Sequence, residues 1–194
     1  MNDPKHLLGR LSATEAATRL LGCDLIRKVD GHILSGRIVE TEAYDESDPT
    51  SHSFRGITKR NSVMFADAGV AYIYFTYGMH YCLNIVTGPK EVGSAVLIRA
   101  LEPLSGIDMM RDRRGVKEPR KLLSGPAKLT QALMIDGSLN GHDLAQAPLI
   151  LKLNPPLKSS QICWCTRIGI KEEKDKINLW RAVITSSDYL SRPL

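Results

Sequence analysis

Short stretches in which apolar and polar residues alternate predict that most of the regular structure in this chain is β-strand. The five clearest stretches are rich in the β-branched and aromatic residues that strands favour, and glycines separate several of them. They cover Asp24–Val29, Arg37–Tyr44, Ala71–Tyr77, Tyr81–Val86 and Ala95–Ala100. Weaker alternation near residues 149–153, 165–170 and 180–185 predicts three more short strands. Gly31 or Gly36 can turn the chain between the first two strands, and Gly78 marks a hairpin or a sharp bend.

Helical signals lie between these strands. Ser12 and Glu15 have the spacing of a capping box, and Gly22 can end the helix that follows. A second helix is predicted through Ile107–Arg111, and a third can begin at Ser124-Gly125-Pro126. Strands and helices do not alternate regularly, which argues against a doubly wound parallel sheet. The pattern therefore predicts one mixed α/β (α+β) domain with several antiparallel strands.

Composition narrows the class of protein. Hydrophobic residues make up 43% of the 194 residues, which is enough to build a buried core. No apolar run approaches the roughly 18 residues of a membrane-spanning helix, and the first residues lack the layout of a signal peptide. We therefore expect a soluble, intracellular protein. Its net charge of +5 is compatible with a polyanionic partner, although many basic proteins bind no nucleic acid.

The cysteines and one charged run can each form a functional site or be ordinary structure. The four cysteines, at positions 23, 82, 163 and 165, lack the paired spacing of zinc ligands, so reduced thiols in the interior are expected. A zinc site built on Cys163 and Cys165 is kept as a rival interpretation. The charged run at 111–121 is typical of a solvated loop, while a phosphate-facing role stays open.

The stretch RIVETEAYDESDPTSHS at 37–53 carries the first candidate chemistry. On an extended strand Glu40, Glu42 and Tyr44 share one face with Ile38, and the two glutamates are about 7 Å apart at Cα. Such an acid pair can act in general acid–base chemistry, but spacing alone favours a solvated strand face. Tyr44 and the nearby His52 favour a site, because a carboxylate against aromatic surface is partly desolvated and its pKa can be tuned.

A concentration of tyrosines between residues 72 and 81 carries the second candidate chemistry. Tyr72 and Tyr74 share one face of their predicted strand, while Phe75 and Tyr77 share the other. Tyr77 precedes Gly78 at the predicted bend, where an exposed ring could act as a wedge, and flat rings suit base stacking. The alternative is that these tyrosines are core residues with hydrogen-bonded hydroxyls.

Taken together and in order, the sequence blocks that carry these features resemble the alkyladenine DNA glycosylase family, also called mammalian-type 3-methyladenine DNA glycosylases. They are GRIVETEAY at 36–44, SHS at 51–53, RN at 60–61, MF at 64–65, YIYFTYGMHYCLN at 72–84, AVLIRALEPLSG at 95–106, LLSGPAKLTQAL at 122–133 and RIGI at 167–170. The resemblance implies a single compact domain over residues 1–194, with a curved, largely antiparallel sheet flanked by helices. It also implies a monofunctional enzyme of base-excision repair. Such an enzyme uses water to hydrolyse the N-glycosidic bond of a flipped alkylated or deaminated purine, and it leaves an abasic site without cutting the strand.

The resemblance also assigns catalytic roles. Glu42 is implied as the general base that activates water for attack on the sugar C1′, while Glu40 has no such role. Arg99 is implied to hold that water and the phosphate of the target nucleotide, since a guanidinium can donate to both. The backbone carbonyl of Ile168 is implied to help hold the same water.

Other positions are implied to bind the flipped base and the duplex. Tyr44 and Tyr74 correspond to aromatic walls around the base, with His52 adding a wall and a hydrogen bond. Asn84 lines the pocket, where its amide can discourage the 2-amino group of guanine. Tyr77 enters the gap that the base leaves in the duplex. Independently of the resemblance, Lys128 lies near a predicted helix N-terminus, where it is a candidate phosphate contact and can equally be a solvated lysine.

No metal and no cofactor are implied. The expected partner is double-stranded DNA that contains damaged purines, bound by a monomer, and no membrane partner is expected. Ala182 departs from the family pattern, which has an aromatic residue there, so altered packing is expected. Two rivals remain: a non-catalytic damaged-DNA-binding module, and a sugar-processing hydrolase that uses Glu40 and Glu42 as a carboxylate pair.

Overall fold

The computed structural model describes residues 3–170 and 178–194. Within these residues the strands form one sheet, and every pairing between them is antiparallel. They are β1 (Asp24–Val29), β2 (His32–Tyr44), β3 (Ala71–Thr76), β4 (His80–Val86), β5 (Ala95–Ser105), β6 (Leu149–Lys152), β7 (Ile162–Cys165) and β8 (Arg181–Ile184). The spatial order is β3-β4-β5-β2-β1-β6, and β8 pairs with β2 on one side and β7 on the other.

β2 organises the sheet. Its first half lies between β1 and β5, and the last β1 pair joins Asp24 to Arg37. Its second half lies between β5 and β8, with residues 40–42 opposite residues 181–183. Because β8 replaces β1 as the neighbour of β2 in the second half of β2, the sheet curls. The predicted mixed α/β class, with a curved and largely antiparallel sheet, is confirmed.

Of the two glycines predicted to turn the chain before β2, only Gly31 does so. Asp30 and Gly31 form the turn, with φ of 52° and 75°. Gly36 lies inside β2, where an added Cβ would stand 2.9 Å from the Cβ of Leu101 on β5. The absence of a side chain at Gly36 therefore lets the two strands approach each other closely.

The described residues contain four α-helices: α1 (Pro4–Leu8), α2 (Ala13–Leu20), α3 (Ile107–Arg114) and α4 (Pro126–Leu133). The predicted capping box at the start of α2 is confirmed. Ser12 Oγ accepts the backbone N–H of Glu15 over 3.3 Å, and Glu15 Oε2 accepts the N–H of Ser12 over 2.9 Å. In the part of the chain described here, no helix has the length and apolar character required to cross a bilayer.

The main hydrophobic core lies between the sheet and the helices. On β2, Thr41 faces α2, where its hydroxyl donates to the carbonyl of Ala17 over 3.0 Å. Ile38 and Ala43 on β2 and Leu20 on α2 are fully buried in this core. A large apolar side chain buried in this way contributes about 1.5–3 kcal/mol to stability. The helices thus cover one face of β2 and leave the other face for polar residues.

Some predicted boundaries differ from the structure. β5 runs past Ala100 to Ser105, and α3 runs past Arg111 to Arg114. The strand predicted at 165–170 is wrong, because β7 ends at Cys165. Beyond this point the backbone leaves the sheet: the N–H of Ile168 bonds to a side chain, and Gly169 has a φ of 85°.

The charged run at 111–121 forms ion pairs on the surface. Arg120 lies 2.7 Å from Asp188, and Lys121 lies 2.7 Å from Glu118, with all four side chains largely exposed. Exposed pairs of this kind contribute only about 0–1 kcal/mol. These contacts agree with a solvated run, but the prediction that it is a loop is wrong for residues 111–114, which belong to α3.

Candidate active site

One face of the sheet carries a cavity of about 680 Å³. A row of mutually opposite residues crosses it: Tyr72 on β3 at one wall, then Asn84 on β4, Leu97 on β5 and Glu42 on β2 in the floor. Because directly opposite residues in antiparallel strands point to the same face, the register brings these four side chains together. The other predicted site residues that line the cavity are Tyr44, His52, Tyr74, Tyr77, Arg99 and Ile168.

Two irregularities in the pairing of β2 with β5 set the position of the charged residues. Val39 on β2 and Arg99 on β5 are each skipped in the ladder between these strands. A bulge of this kind shifts the alternation of side chains by one residue. Ile38 therefore lies in the hydrophobic core, whereas Glu40 and Glu42 contact Arg99 on the other face. The prediction that Ile38 shares a face with the two glutamates is wrong for this reason.

Glu42 is fully buried, and both of its carboxylate oxygens accept hydrogen bonds. Oε1 accepts the backbone N–H of Ile168 over 2.7 Å and lies 3.2 Å from Arg99 Nη1, while Oε2 accepts the hydroxyl of Tyr44 over 2.8 Å. Burial raises the pKa of the Glu42 carboxyl above its ordinary value, and the charge of Arg99 and the hydrogen bonds from Ile168 and Tyr44 oppose this rise. They also fix the carboxylate plane, so that its remaining lone pairs can accept a proton from a group in the cavity.

Arg99 joins the two glutamates, with its Nε 3.0 Å from Glu40 Oε1 and its Nη1 3.2 Å from Glu42 Oε1. Burial opposes the charge on Arg99, but the two carboxylates outweigh it and raise the pKa of Arg99 above its ordinary value. Glu40 also accepts from Arg181 Nε over 2.8 Å and from the N–H and hydroxyl of Ser191 over 2.6 and 2.7 Å. Unlike Glu42, Glu40 is not among the described residues that line the cavity. It ties Arg99 to the C-terminal segment instead.

Three rings form one wall of the cavity. The centroids of Tyr72 and Tyr74 are 5.6 Å apart, and His52 meets Tyr74 edge-on at 4.6 Å. His52 Nδ1 lies 2.9 Å from the Tyr72 hydroxyl, which orients the imidazole. Burial raises the pKa of Tyr72 to about 12, and burial together with Arg60 lowers the pKa of His52, so this wall is uncharged at neutral pH. Tyr72 is a wall residue absent from the set of predicted site residues, although strand alternation puts it on the face of Tyr74.

The tip of the β3–β4 hairpin stands at the rim of the cavity. Tyr77 is 88% exposed, and both Tyr77 and Gly78 have positive φ, at 52° and 67°. The N–H of Met79 donates back to the carbonyl of Thr76 over 3.2 Å, as in the tight turns of two-stranded hairpins. Strand alternation ends at Thr76, so the prediction that Tyr74 and Tyr77 point to opposite faces does not apply. Both rings line the cavity, and Tyr77 does so from its exposed rim.

The remaining predicted residues differ in their relation to the cavity. Asn84 is buried in the floor, and its Nδ2 donates to the carbonyl of Tyr72 over 3.1 Å. Lys128 is exposed on the first turn of α4, with Nζ 3.5 Å from Ser124 Oγ, and it does not belong to the described cavity lining. In residues 3–170 and 178–194, no three His, Cys, Asp or Glu side chains are grouped as metal ligands.

Comparison with known proteins gives one consistent result. The model of the methylpurine-DNA glycosylase family (MPG) matches residues 8–188 of this chain, a span that includes every strand and every described residue of the cavity. A protein of Carboxydothermus hydrogenoformans is 52% identical over 177 residues, which cover 91% of this chain and 92% of the relative. Proteins of Methanoculleus marisnigri and Francisella tularensis are 50% and 48% identical, over 91% and 90% of this chain and 92% of each relative. All three carry the name "Putative 3-methyladenine DNA glycosylase". The chain therefore belongs to the methylpurine-DNA glycosylase family.

Proposed function

We propose that this protein is a monofunctional DNA glycosylase that removes alkylated or deaminated purines from double-stranded DNA and leaves an abasic site. The observation that carries the proposal is the buried Glu42 carboxylate, held by Ile168, Tyr44 and Arg99 at the floor of an aromatic cavity. A carboxylate in this setting can accept a proton from water and can stabilise positive charge on a sugar ring. The family and the names of its relatives agree with this reading.

Recognition requires that the damaged nucleotide leave the helix. Flipping a base costs a few kcal/mol, and least for a damaged or mispaired base, which favours lesions over normal purines. In this proposal the extrahelical purine stacks among Tyr44, Tyr74 and His52, whose rings line the cavity. Tyr77 at the exposed rim fills the gap left in the duplex.

In the chemical step the C1′–N bond of the damaged nucleotide breaks, and the base leaves with the electron pair. The sugar gains oxocarbenium character, which the negative charge of Glu42 stabilises. Glu42 takes a proton from water as the water oxygen bonds to C1′, which completes hydrolysis. Arg99 favours the ionised form of Glu42 through their contact at 3.2 Å, and in this proposal it also contacts the phosphate of the flipped nucleotide.

The proposed substrates are 3-methyladenine, 7-methylguanine, hypoxanthine and ethenoadenine. Asn84 lies in the cavity floor opposite Leu97, where its amide meets the base edge and disfavours the 2-amino group of guanine. We further propose that the protein acts as a monomer inside the cell, where chromosomal DNA is found. A positively charged base such as 7-methylguanine is a good leaving group without protonation, whereas neutral hypoxanthine also requires a proton.

The test is an excision assay on a duplex that contains a single hypoxanthine. The duplex is incubated with the protein and then treated with alkali, which breaks the strand at an abasic site. We expect a break only after alkali, and none in the same duplex with adenine at that position. A break without alkali would contradict monofunctional action. Binding of the lesion duplex with no break above background would favour the non-catalytic DNA-binding module.

A further inference from the structure

Arg167 lies between two aromatic rings beside the cavity. Its guanidinium carbon stands 4.7 Å from the centroid of Tyr44 and 5.2 Å from that of Trp180. Its Nη1 donates to the carbonyl of Ala43 over 3.1 Å and pairs with the carboxylate of Asp48. The Arg167 side chain is fully buried, and a planar guanidinium suits this position because it stacks and hydrogen-bonds at once.

The contacts of Arg167 lead to both oxygens of the Glu42 carboxylate. Its stacking holds the ring of Tyr44, whose hydroxyl donates to Glu42 Oε2 over 2.8 Å. Its anchored side chain also fixes the backbone at the next residue, Ile168, whose N–H donates to Glu42 Oε1 over 2.7 Å. Two of the three groups that orient Glu42 are therefore supported by one arginine, which does not itself belong to the described cavity lining.

Asp48 and Trp180 complete the support. Asp48 lies in the polar turn after β2, and its carboxylate also accepts the N–H and hydroxyl of Thr50 over 2.9 and 2.8 Å. The carbonyl of Trp180 accepts the N–H of Ala43 over 2.8 Å, so the ring behind Arg167 is tied to β2. A buried ion pair with such additional hydrogen bonds holds a defined geometry, and the loss of either partner is strongly destabilising.

We propose that Arg167 is a positioning residue for catalysis: it holds the ring of Tyr44 and the amide of Ile168 where together they orient the Glu42 carboxylate. The proposal rests on the proposed glycosylase function. Because Arg167 packs on Tyr44, it also determines which ring surface remains for the flipped purine. Arg167 thus connects the stacking of the flipped purine with the orientation of the Glu42 carboxylate.

The first test compares Arg167→Met with Arg113→Met in single-turnover excision of hypoxanthine. Arg113 is a matched control, because its Nη1 also donates to a carbonyl, that of Ala132 over 3.2 Å, and its Nη2 lies 3.8 Å from Asp30. We expect Arg167→Met to lower the rate about 10–100-fold, as small misplacements of reacting groups do. Affinity for the duplex should stay within about twofold, and Arg113→Met should keep the wild-type rate.

The pH profile separates positioning from general damage to the fold. Loss of the Tyr44 and Ile168 donors would favour the protonated form of Glu42, so the acid limb of the Arg167→Met profile should move to higher pH. Once each rate is divided by the folded fraction measured at that pH, a variant that is only less stable shows no shift of the limb. A rate and an acid limb equal to those of Arg113→Met would overturn the proposal.

Two further variants keep the test decisive if Arg167→Met does not fold. Arg167→Lys keeps the charge beside Asp48 but lacks the planar stacking surface, so it should remain slow; full activity would overturn the stacking argument. In a Tyr44→Leu background, replacement of Arg167 should cost less than it does in the wild type, because the ring that it supports is gone. If the rate reductions caused by the two single substitutions simply multiplied in the double variant, the proposal would also be overturned. No excision by the wild-type protein would instead contradict the proposed function itself.

Discussion

The backbone N–H of Ile168 donates to Glu42 Oε1 over 2.7 Å. The family resemblance assigns the carbonyl of this residue to the attacking water, and that role stays a prediction. The amide contact adds a second role for the same residue, because it fixes one side of the carboxylate. Tyr44 fixes the other side, and Arg99 supplies a positive charge 3.2 Å from Oε1. Glu42 is thus oriented before any substrate is bound.

Glu42→Gln is expected to lower single-turnover excision by about 10²–10⁴-fold, because an amide cannot take a proton from water. The fold should be kept, although glutamine offers one acceptor oxygen to the two donors, Ile168 and Tyr44, and loses the ion pair with Arg99. The measurement is excision of hypoxanthine with enzyme in excess, with circular dichroism as the check on folding. A folded variant that cleaves at the wild-type rate would show that Glu42 is not the base.

Glu40→Gln is expected to act mainly on stability. Glu40 is fully buried between Arg99 and Arg181, at 3.0 and 2.8 Å. Removal of one partner from a buried ion pair costs about 3–5 kcal/mol, because the other charge is left unpaired. The free energy of unfolding, measured with urea, should fall by about this amount, while excision by the folded protein should fall far less than in Glu42→Gln. Equal loss of activity in both variants would favour the sugar-processing hydrolase.

The rate of excision should fall at acidic pH as Glu42 becomes protonated. Burial raises the pKa of Glu42 above the ordinary 4.5, so the acid limb should lie above that pH. The measurement uses duplex that contains 7-methylguanine, because excision of this charged base would need no added proton and would report on Glu42 alone. The raised pKa also favours the folded state at low pH, and this contribution is lost as the pH rises through the folded-state pKa. An acid limb at or below pH 4.5 would contradict an elevated pKa.

The sequence predicts much of the fold, since alternation locates most of the strands and the capping box locates α2. It also predicts that Glu40 and Glu42 share a face. It does not predict how Arg99 reaches both of them, because this depends on the irregular pairing at Val39 and Arg99, which involves two strands distant in sequence. The position of Arg167 is hidden for a similar reason: its partners Tyr44, Asp48 and Trp180 come from separate segments.

Lys128 provides a test of phosphate binding by the first turn of α4. The affinity for duplex DNA should fall as salt rises, and each phosphate contact changes the slope of log affinity against log salt by about 0.9. If Lys128 binds a phosphate, Lys128→Ala should reduce the slope by about that amount. Lys152→Ala on β6 is a suitable control, because Lys152 is also exposed. β6 lies at the end of the strand order opposite β3, whereas α4 packs against β4 and β5. Equal slopes for both variants would remove Lys128 from the interface.

Tyr77 combines an exposed ring with a strained backbone, and the two properties can be tested apart. A non-glycine residue in the left-handed region costs roughly 1–2 kcal/mol, and Tyr77 has a φ of 52°. Tyr77→Gly should therefore be more stable than Tyr77→Ala in urea unfolding, because only the glycine relieves this strain. Both variants lack the ring, so both should bind lesion duplex more weakly and excise hypoxanthine more slowly at limiting enzyme. Excision from single-stranded DNA, which needs no wedge, should change much less. If either variant matched the wild type on duplex DNA, the ring of Tyr77 would have no part in flipping.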